Sequence, residues 1–392
     1  MRGGPAFHPG EAMRLRGWAA TVAVIAALLP ALGHRPAGRA VDRPSARHVR
    51  GAVHVHSGLS LDGGPTVEAI ARAAAKAGLD FVVLTDHDTD AAWAARGWHG
   101  RVLVVVGMER TAAEGHALVL GASPLAPVPG KGAPAADVAR DAARRGGFLV
   151  GAHPISHGPG KHWTGSFQPL SAIEVVNFLD RGAWPALRPA LAASLVRLVV
   201  DPRGTLLREF RFSPEPLRLW DRLLAERPVA GLLGSDAHGG FRAPGLFVPV
   251  PGHELVFRLA SQHLLLATPF TGEAEADTAR VLEALRVGRG YVAFDEVADA
   301  DGFRFEAESG GRRAEMGGAL AIAGHAVLRV ASGQPEATVR LLHDGREVAR
   351  GAGLAHATAA PGAYRAEAYF PRSPAPHRPW IIANPIRLEA GP

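Results

Sequence analysis

The residues able to do chemistry fall at a recurring place, the ends of apolar runs. "AVHVH" finishes at His54 and His56, and "FVVLTDHDT" passes from apolar residues into Asp86 and His87. "VLVVVGMER" reaches Glu109, "FLVGAHP" reaches His153, and "GLLGSDAH" reaches Asp236 and His238. A lone histidine beside an apolar run is more often a hydrogen-bonded core residue than a ligand. Several such runs, each ending in His, Asp or Glu, point instead to one shared rim of a sheet, where α/β active sites gather. Alternate residues of an extended strand point the same way, so His54 shares a face with His56, and Asp236 with His238. Two imidazoles a few ångströms apart are not both comfortably protonated, and a divalent cation takes both lone pairs. Imidazole and carboxylate donors without thiolate fit Zn, Mn or Fe. The donors outnumber what one ion takes, so two or three ions are expected, with Glu109 as a bridging carboxylate. The chain has no cysteine, which excludes disulfides, thiolate-held zinc and a cysteine nucleophile.

The elements that would position these residues alternate between strand and helix patterns. "AVHVH" (52–56) reads as a strand. "TVEAIARAAAKAG" (66–78) reads as a helix capped by Thr66, with Glu68 in its first turn and Gly78 at its end. "FVVLT" (81–85) is a β-branched run of the kind buried on both faces. "VLVVVG" (102–107), "HALVLG" (116–121), "FLVGAH" (148–153), "AIEVVN" (172–177), "VAGLLGSDAH" (229–238) and "YVAFD" (291–295) continue the series. Helices are expected at 133–146, through much of 183–227, and at 278–290. This is a βα pattern with a mostly parallel sheet, and its repeat count suits a barrel. Near residue 300 the pattern changes to short alternating runs divided by Gly and Pro. The "HDGRE" stretch is an Asp-Gly hairpin signal, and residues 299–392 read as a small antiparallel β-sandwich domain.

Bulk properties exclude other classes. A chain of 392 residues with 47% apolar and 20% charged residues is globular rather than disordered. The net charge is +6, but the arginines are scattered without a basic run or aromatic-interleaved patch, which argues against a nucleic-acid partner. Arg14 and Arg16 precede "WAATVAVIAALLPAL" (18–32), short for a membrane span and suited to the apolar core of a signal peptide. "ALG" (31–33) supplies small residues for a cleavage site, and Met13 would be a natural start. Export is expected, with an uncleaved membrane anchor as the alternative. Residues 1–50 then form signal and linker, and 51–298 the α/β domain.

In order, HxH, an Asp, TDH, GxE, a His, AHP and SDAH resemble the polymerase and histidinol phosphatase (PHP) superfamily across about residues 50–298. The layout is similar to its carbaryl-hydrolase-like subgroup, in which a barrel precedes a β domain, and "PWIIANPIRL" (379–388) is similar to a motif ending that domain. The resemblance implies a distorted (β/α)7 barrel and three divalent ions. It implies His54, His56, Glu109 and Asp236 at the first ion, Glu109, His116 and His153 at the second, and Asp62, His87 and His238 at the third. It also implies hydrolysis of a small phosphoester by metal-activated water, with Glu109 and Asp236 at the reacting centre and either His238 or a metal-bound water as the proton donor. Asp86 is expected to orient a ligand histidine, and Glu114 competes with His116. The alternatives are carbamate, ester or amide hydrolysis by the same centre, a non-catalytic exported binding protein on the same scaffold, and a nuclease with salt-dependent DNA binding. His157, Lys161 and His162 could meet a substrate anion, Asn177 could touch the site, Asp88 and Thr89 are expected to cap a helix, and His253 and His263 are assigned to surface or packing.

Overall fold

The computed structural model describes residues 47–60, 62–122, 131–156, 161–178, 200–243, 246–248 and 252–391. Expectations on the signal segment, the linker up to residue 46 and His157 lie outside the described residues. Among those described, no helix is long and apolar enough to cross a membrane.

The N-terminal part alternates strands and helices. Its elements are β1 (His48–Val55), α1 (Val67–Ala77), β2 (Phe81–Leu84), β3 (Gly97–His99), β4 (Val102–Val106), β5 (Met108–Ala112) and β6 (Gly115–Leu120). There follow α2 (Ala135–Arg144), β7 (Phe148–Gly151), β8 (Ala172–Asn177), α3 (Pro202–Glu209), α4 (Glu215–Glu226) and β9 (Ala230–Gly234). A short β10 (Phe241–Ala243) and β11 (Leu246–Val248) lead to α5 (His253–Leu259), β12 (Ser261–Leu265), α6 (Ala274–Val287) and β13 (Gly290–Ala293). Helix α1 begins where the sequence predicts: Thr66 Oγ1 accepts from Ala69 N, and Gly78 closes the helix at φ 78°. The pattern gave no helix over 253–259 and no strand over 261–265, because "SQHLL" is short and half polar.

Strands β3, β4, β2, β1, β12 and β13 lie side by side in one sheet, and β5 to β9 in another. The sheets meet at two seams. At one, Ser235 N donates to Val53 O (2.9 Å) and His56 N to Ala237 O (2.9 Å). At the other, Asp88 N donates to Glu109 O (2.9 Å) and Gly107 N to Leu84 O (2.8 Å). The expected mostly parallel order needs correction. β1–β2, β2–β4, β7–β8 and β8–β9 are parallel, but β1–β12, β12–β13, β5–β6 and β6–β7 are antiparallel. The β5–β6 link spans two residues, Ala113 and Glu114, too short for a parallel crossover.

Apolar residues explain the strands. Phe81 and Val83, Leu103 and Val105, and Leu118 and Leu120 face one core, while Val82 and Leu84, Val104 and Val106, and Val119 face another. Each strand is buried on both faces, so its sequence reads as an unbroken apolar run. Each such side chain contributes about 1.5–3 kcal/mol by leaving water.

The C-terminal part is all β: β14 (Arg304–Ser309), β15 (Arg312–Glu315), β16 (Ala319–Ala321), β17 (Ala326–Ala331), β18 (Thr338–His343), β19 (Arg346–Gly351), β20 (Gly353–Thr358), β21 (Gly362–Tyr369), β22 (Ile381–Ala383) and β23 (Ile386–Glu389). β15, β14, β17 and β20 form an antiparallel sheet. The Asp-Gly hairpin joins β18 to β19, with Asp344 and Gly345 at φ 47° and 77°. The remaining strands do not stand apart: β22 pairs with β13, so the second layer continues the first sheet of the N-terminal part. β16 and β23 run parallel, a departure from the expected purely antiparallel layers.

Candidate metal centre

All nine residues singled out as ligands come together around one carboxylate, Glu109. Its Oε2 lies 2.9 Å from His54 Nε2, 3.2 Å from His56 Nε2 and 3.2 Å from His87 Nδ1. Its Oε1 lies 2.7 Å from His116 Nδ1 and 3.1 Å from His153 Nε2. Asp236 Oδ1 is 3.5 Å from both His54 Nε2 and His56 Nε2. Asp62 Oδ2 bridges His87 Nε2 (3.2 Å) and His238 Nε2 (3.1 Å). Three overlapping sets have donor atoms within 4.8 Å of one another: His54, His56, Glu109 and Asp236; His56, Asp62, His87 and His238; and His87, Glu109 and His116. His153 joins through the Glu109 oxygen that His116 also reaches.

The backbone brings them there by strain as much as by regular strand geometry. His54, His153 and Asp236 have φ of 64°, 31° and 49°, a region costly for residues with a Cβ. The alternation argument for His54 and His56 is therefore corrected. The β1–β2 register shifts between Ala52 and Val55. As a result Val49 and Val53 face one core while Ala52 and Val55 share the other. His54 and His56 converge because a bulge re-aims His54. Likewise Asp236 and His238 lie beyond the end of β9, not on it.

Two residues that sequence reasoning missed hold this geometry. Glu174 is buried in β8; its Oε1 accepts from His54 Nδ1 (2.6 Å), and its Oε2 accepts from His153 N (2.6 Å) and Asn177 Nδ2 (2.8 Å). That fixes the His54 tautomer, leaving Nε2 as its donor atom toward Glu109. Gly234 makes room for it: a Cβ there would lie 2.2 Å from Glu174 Oε1. The signal was present, an acid amid the apolar run "AIEVVN". His253 is the second. It is buried, and its Nε2 lies 3.2 Å from His56 O and 3.0 Å from Ala237 O, across the β1–β9 seam. Burial lowers its pKa to about 4, so it serves as a neutral N–H donor.

Three expected roles change. Asp86 accepts from Ser57 N (2.6 Å) and Ser57 Oγ (2.7 Å), so it fixes the turn after His56 rather than orienting a histidine. Glu114 accepts from Ala135 N (2.8 Å) at the start of α2. Asp88 accepts from Thr111 N and Oγ1 on β5 instead of capping a helix, while Thr89 Oγ1 accepts from Ala91 N (3.2 Å). Asn177 reaches the centre only through Glu174. Lys161 and His162 make none of the contacts that assemble it.

The electrostatics favour positive charge. Burial would lower the His54 pKa, but the carboxylates of Glu109, Glu174 and Asp236 outweigh it and hold it well above the ordinary value. The same contest raises His153, through Glu109, and His238, through Asp62 and Asp236. Burial would raise the Glu109 and Asp236 pKa values; His54 and its neighbours hold both well below the carboxylate range. Asp62 is lowered likewise by its hydrogen bonds to His238 and His87, against partial burial. Protons here do work that a divalent cation would do better. His56 Nε2 is buried without a hydrogen-bond partner among the described residues, as expected of a nitrogen shaped to give its lone pair to a cation. The groupings are compatible with divalent metals.

A cavity of about 80 Å³ adjoins the centre, lined by His153, Glu174, Asn177, Phe210, Arg211 and Phe212. A larger one, about 370 Å³, includes Arg227, Arg286 and Arg387 but none of the nine. Those arginines are already engaged, with Phe167 O, Glu283 and Leu224 O respectively, and of the two cavities only the smaller touches the nine residues.

No family model matches the chain, and no curated protein matches it. Among solved structures, a two-domain protein from Bacteroides vulgatus containing a predicted PHP-like metal-dependent phosphoesterase is 15% identical, covering 90% of this chain and all of that one, with a TM-score of 0.41. PsfC from Pseudomonas syringae is 18% identical over 61% of this chain and 89% of that one, at a TM-score of 0.37. An amidohydrolase from Chromobacterium violaceum, with bound sulfate and no metal, is 19% identical over 48% of this chain and 87% of that one, at 0.30.

Proposed function

We propose that the protein is a metal-dependent hydrolase of the PHP kind, acting first on phosphoesters. The observation that carries this is the overlap of three donor sets, linked through His56, His87 and Glu109. A phosphate ester brings negative charge on several oxygens, and a multi-cation centre suits it better than a single ion would. Bound divalent ions would supply Lewis acidity and lower the pKa of water toward neutrality.

The chain's own groups do the rest. Glu109 presents both oxygens to opposite sides of the centre, and Asp236 adds the second carboxylate. Glu174 keeps His54 oriented. His238 Nδ1 donates to Asp236 O (2.7 Å), leaving Nε2 toward the centre. That nitrogen can hold a cation or hand a proton to a leaving oxygen, not both at once. Arg211 offers charge for an anion, and Phe210 and Phe212 offer an apolar wall for the organic group. That wall favours a second reading, hydrolysis of an aryl or alkyl carbamate or ester by the same centre.

Assays of the Mn, Zn and Fe forms against phosphomonoesters, phosphodiesters and aryl carbamates decide between the two. Turnover of carbamates with none of any phosphoester would overturn the first reading. Binding of less than about one equivalent of metal would favour a non-catalytic binding protein. The same proposal includes a distorted barrel, supported by the two hydrogen-bonded seams, and a distinct C-terminal β domain of the carbaryl-hydrolase-like layout. It also includes export through residues 18–32, which a fusion to a reporter active only outside the cytoplasm would test.

A further inference from the structure

A second group of histidines lies at the other end of β1, six residues before His54 and so about 20 Å along the strand. One donor atom from each of His48, His263 and Asp301 lies within 4.8 Å of the other two. The three come from separate places: the first residue of β1, the middle of β12, and the connector between β13 and β14. His263 is fully buried and His48 and Asp301 partly so.

The surroundings are built as those of a metal ligand are. His263 Nε2 donates to Asp295 Oδ1 (2.9 Å), and Ser261 Oγ donates to Asp295 Oδ2 (2.5 Å). A carboxylate on one ring nitrogen fixes the tautomer and turns the other nitrogen into a lone-pair donor. That nitrogen, Nδ1, faces His48 Nε2 at 2.9 Å. Asp301 Oδ1 comes within 3.9 Å of His48 Nδ1, the ring's other nitrogen. The Tyr291 hydroxyl, 3.2 Å from His48 Nε2, donates to Ala300 O and so presents its oxygen lone pairs to the group. Tyr291 also stacks on His263 with ring centroids 4.7 Å apart.

We propose that His48, His263 and Asp301 bind a divalent transition metal of the zinc class. The site is structural, distinct from the Glu109 centre. Two imidazoles and a carboxylate are a common donor set for zinc, and the fourth position falls to water or to the Tyr291 oxygen. Its place explains its use. The ion would tie the start of β1 and the strand β12 to the connector that leads into the C-terminal sheets, so that the two parts of the chain are fixed to each other.

The test uses the full chain and Zn²⁺ or Co²⁺ as probe. Glu109→Gln, made together with His56→Gln so that every donor set of the first centre loses a ligand, should still bind about one equivalent of Co²⁺ with the visible absorption of a tetrahedral N/O site. Adding His48→Gln or Asp301→Asn should abolish that spectrum. In the otherwise unchanged protein, either change should remove about one equivalent of zinc while turnover stays within about twofold. Asp301 is one-third exposed at its side chain, so Asp301→Asn keeps the test open should His48→Gln fail to fold. Equal Co²⁺ binding by this doubly substituted chain with and without Asp301→Asn would overturn the proposal. So would no binding in the doubly substituted chain, and the trio would then be a hydrogen-bonded chain from Asp295 to His48. A doubly substituted chain that keeps all its metal and turnover would instead count against the function proposed above, which separates the two failures.

Discussion

Arg365 and Glu109 are both almost fully buried, at 3% and 1% exposure, yet the clusters around them follow opposite rules. Arg365 gives Nε and Nη2 to Asp221 (2.5 and 2.8 Å) and Nη1 to Glu367 (2.6 Å). Tyr369 donates to Glu367, and Arg340 links Glu367 to Glu347, which Arg350 also holds. Three arginines meet three carboxylates, the cluster is neutral, and it fastens β21 to α4. Around Glu109 the count differs. Among the described residues, the ionisable partners of Glu109, Glu174, Asp236 and Asp62 are histidines, with no arginine or lysine paired to them, and a neutral histidine brings no charge. Left-handed backbone marks His54, His153 and Asp236 but no non-glycine residue of β21. A buried polar cluster that closes on itself holds the fold together. One that leaves excess negative charge and strained backbone is shaped to hold something else.

The sharpest way to break this contrast is to neutralise each hub. Glu109→Gln should lower kcat/KM by more than about 10³-fold and reduce metal content, with the far-ultraviolet dichroism unchanged. Arg365→Ala should do the reverse. It leaves half-buried Asp221 without a cation and buried Glu367 with Arg340 alone, so stability should fall by about 3 kcal/mol in urea unfolding. Metal bound per folded molecule should not change. If Arg365→Ala lowered metal content in the folded fraction, the two clusters would not be independent.

The structural cluster was not legible in the sequence, and the centre largely was. Candidate metal ligands of this kind sit where apolar strands end, so His54, Glu109, His153 and Asp236 announce themselves by position. Asp221, Arg365 and Glu367 lie at unremarkable places on a helix and a strand, and only tertiary pairing joins them. Within the centre, the legible part stops at the bulge. An extra residue in β1 and a left-handed Asp236 cannot be read from alternation, because strain is imposed by the neighbours that over-determine it. β12 escaped for a related reason. It lies between β1 and β13 with α6 and β9 packed against it, so its sequence needs no apolar alternation, and Gln262 is satisfied by Leu233 N and Tyr291 O.

Smaller effects sharpen the contrast. Glu174 touches no proposed metal directly. Glu174→Gln should cost about 10–100-fold in metal affinity or turnover, as loss of an orienting carboxylate does elsewhere. Titration with Zn²⁺ followed by calorimetry checks it, and an unchanged affinity would mean that His54 is held by its strained backbone alone. Asp62 is the most exposed of the four carboxylates, with 46% of its side chain accessible. Asp62→Asn should therefore cost only about tenfold in kcat, leaving the affinity of the tightest-bound ion in place.

The smallest effect belongs to the closed cluster. Burial would raise the Glu367 pKa, but Arg365, the Tyr369 hydroxyl and Arg340 outweigh it and hold it below the ordinary value of 4.5. A group lowered on folding stabilises the native state above its unfolded pKa, and that stability is lost as pH falls through the folded one. Between neutral pH and pH 5, Glu367→Gln should therefore sit on the order of 1 kcal/mol below the parent chain in urea unfolding. Below pH 4.5 the gap should narrow as the parent's Glu367 takes up its proton. Because Asp221 still holds Arg365 in this variant, the loss stays well under that of Arg365→Ala. A gap that stayed constant down to acid pH would show that the variant loses packing rather than charge, and the cluster's neutrality would not be what stabilises it.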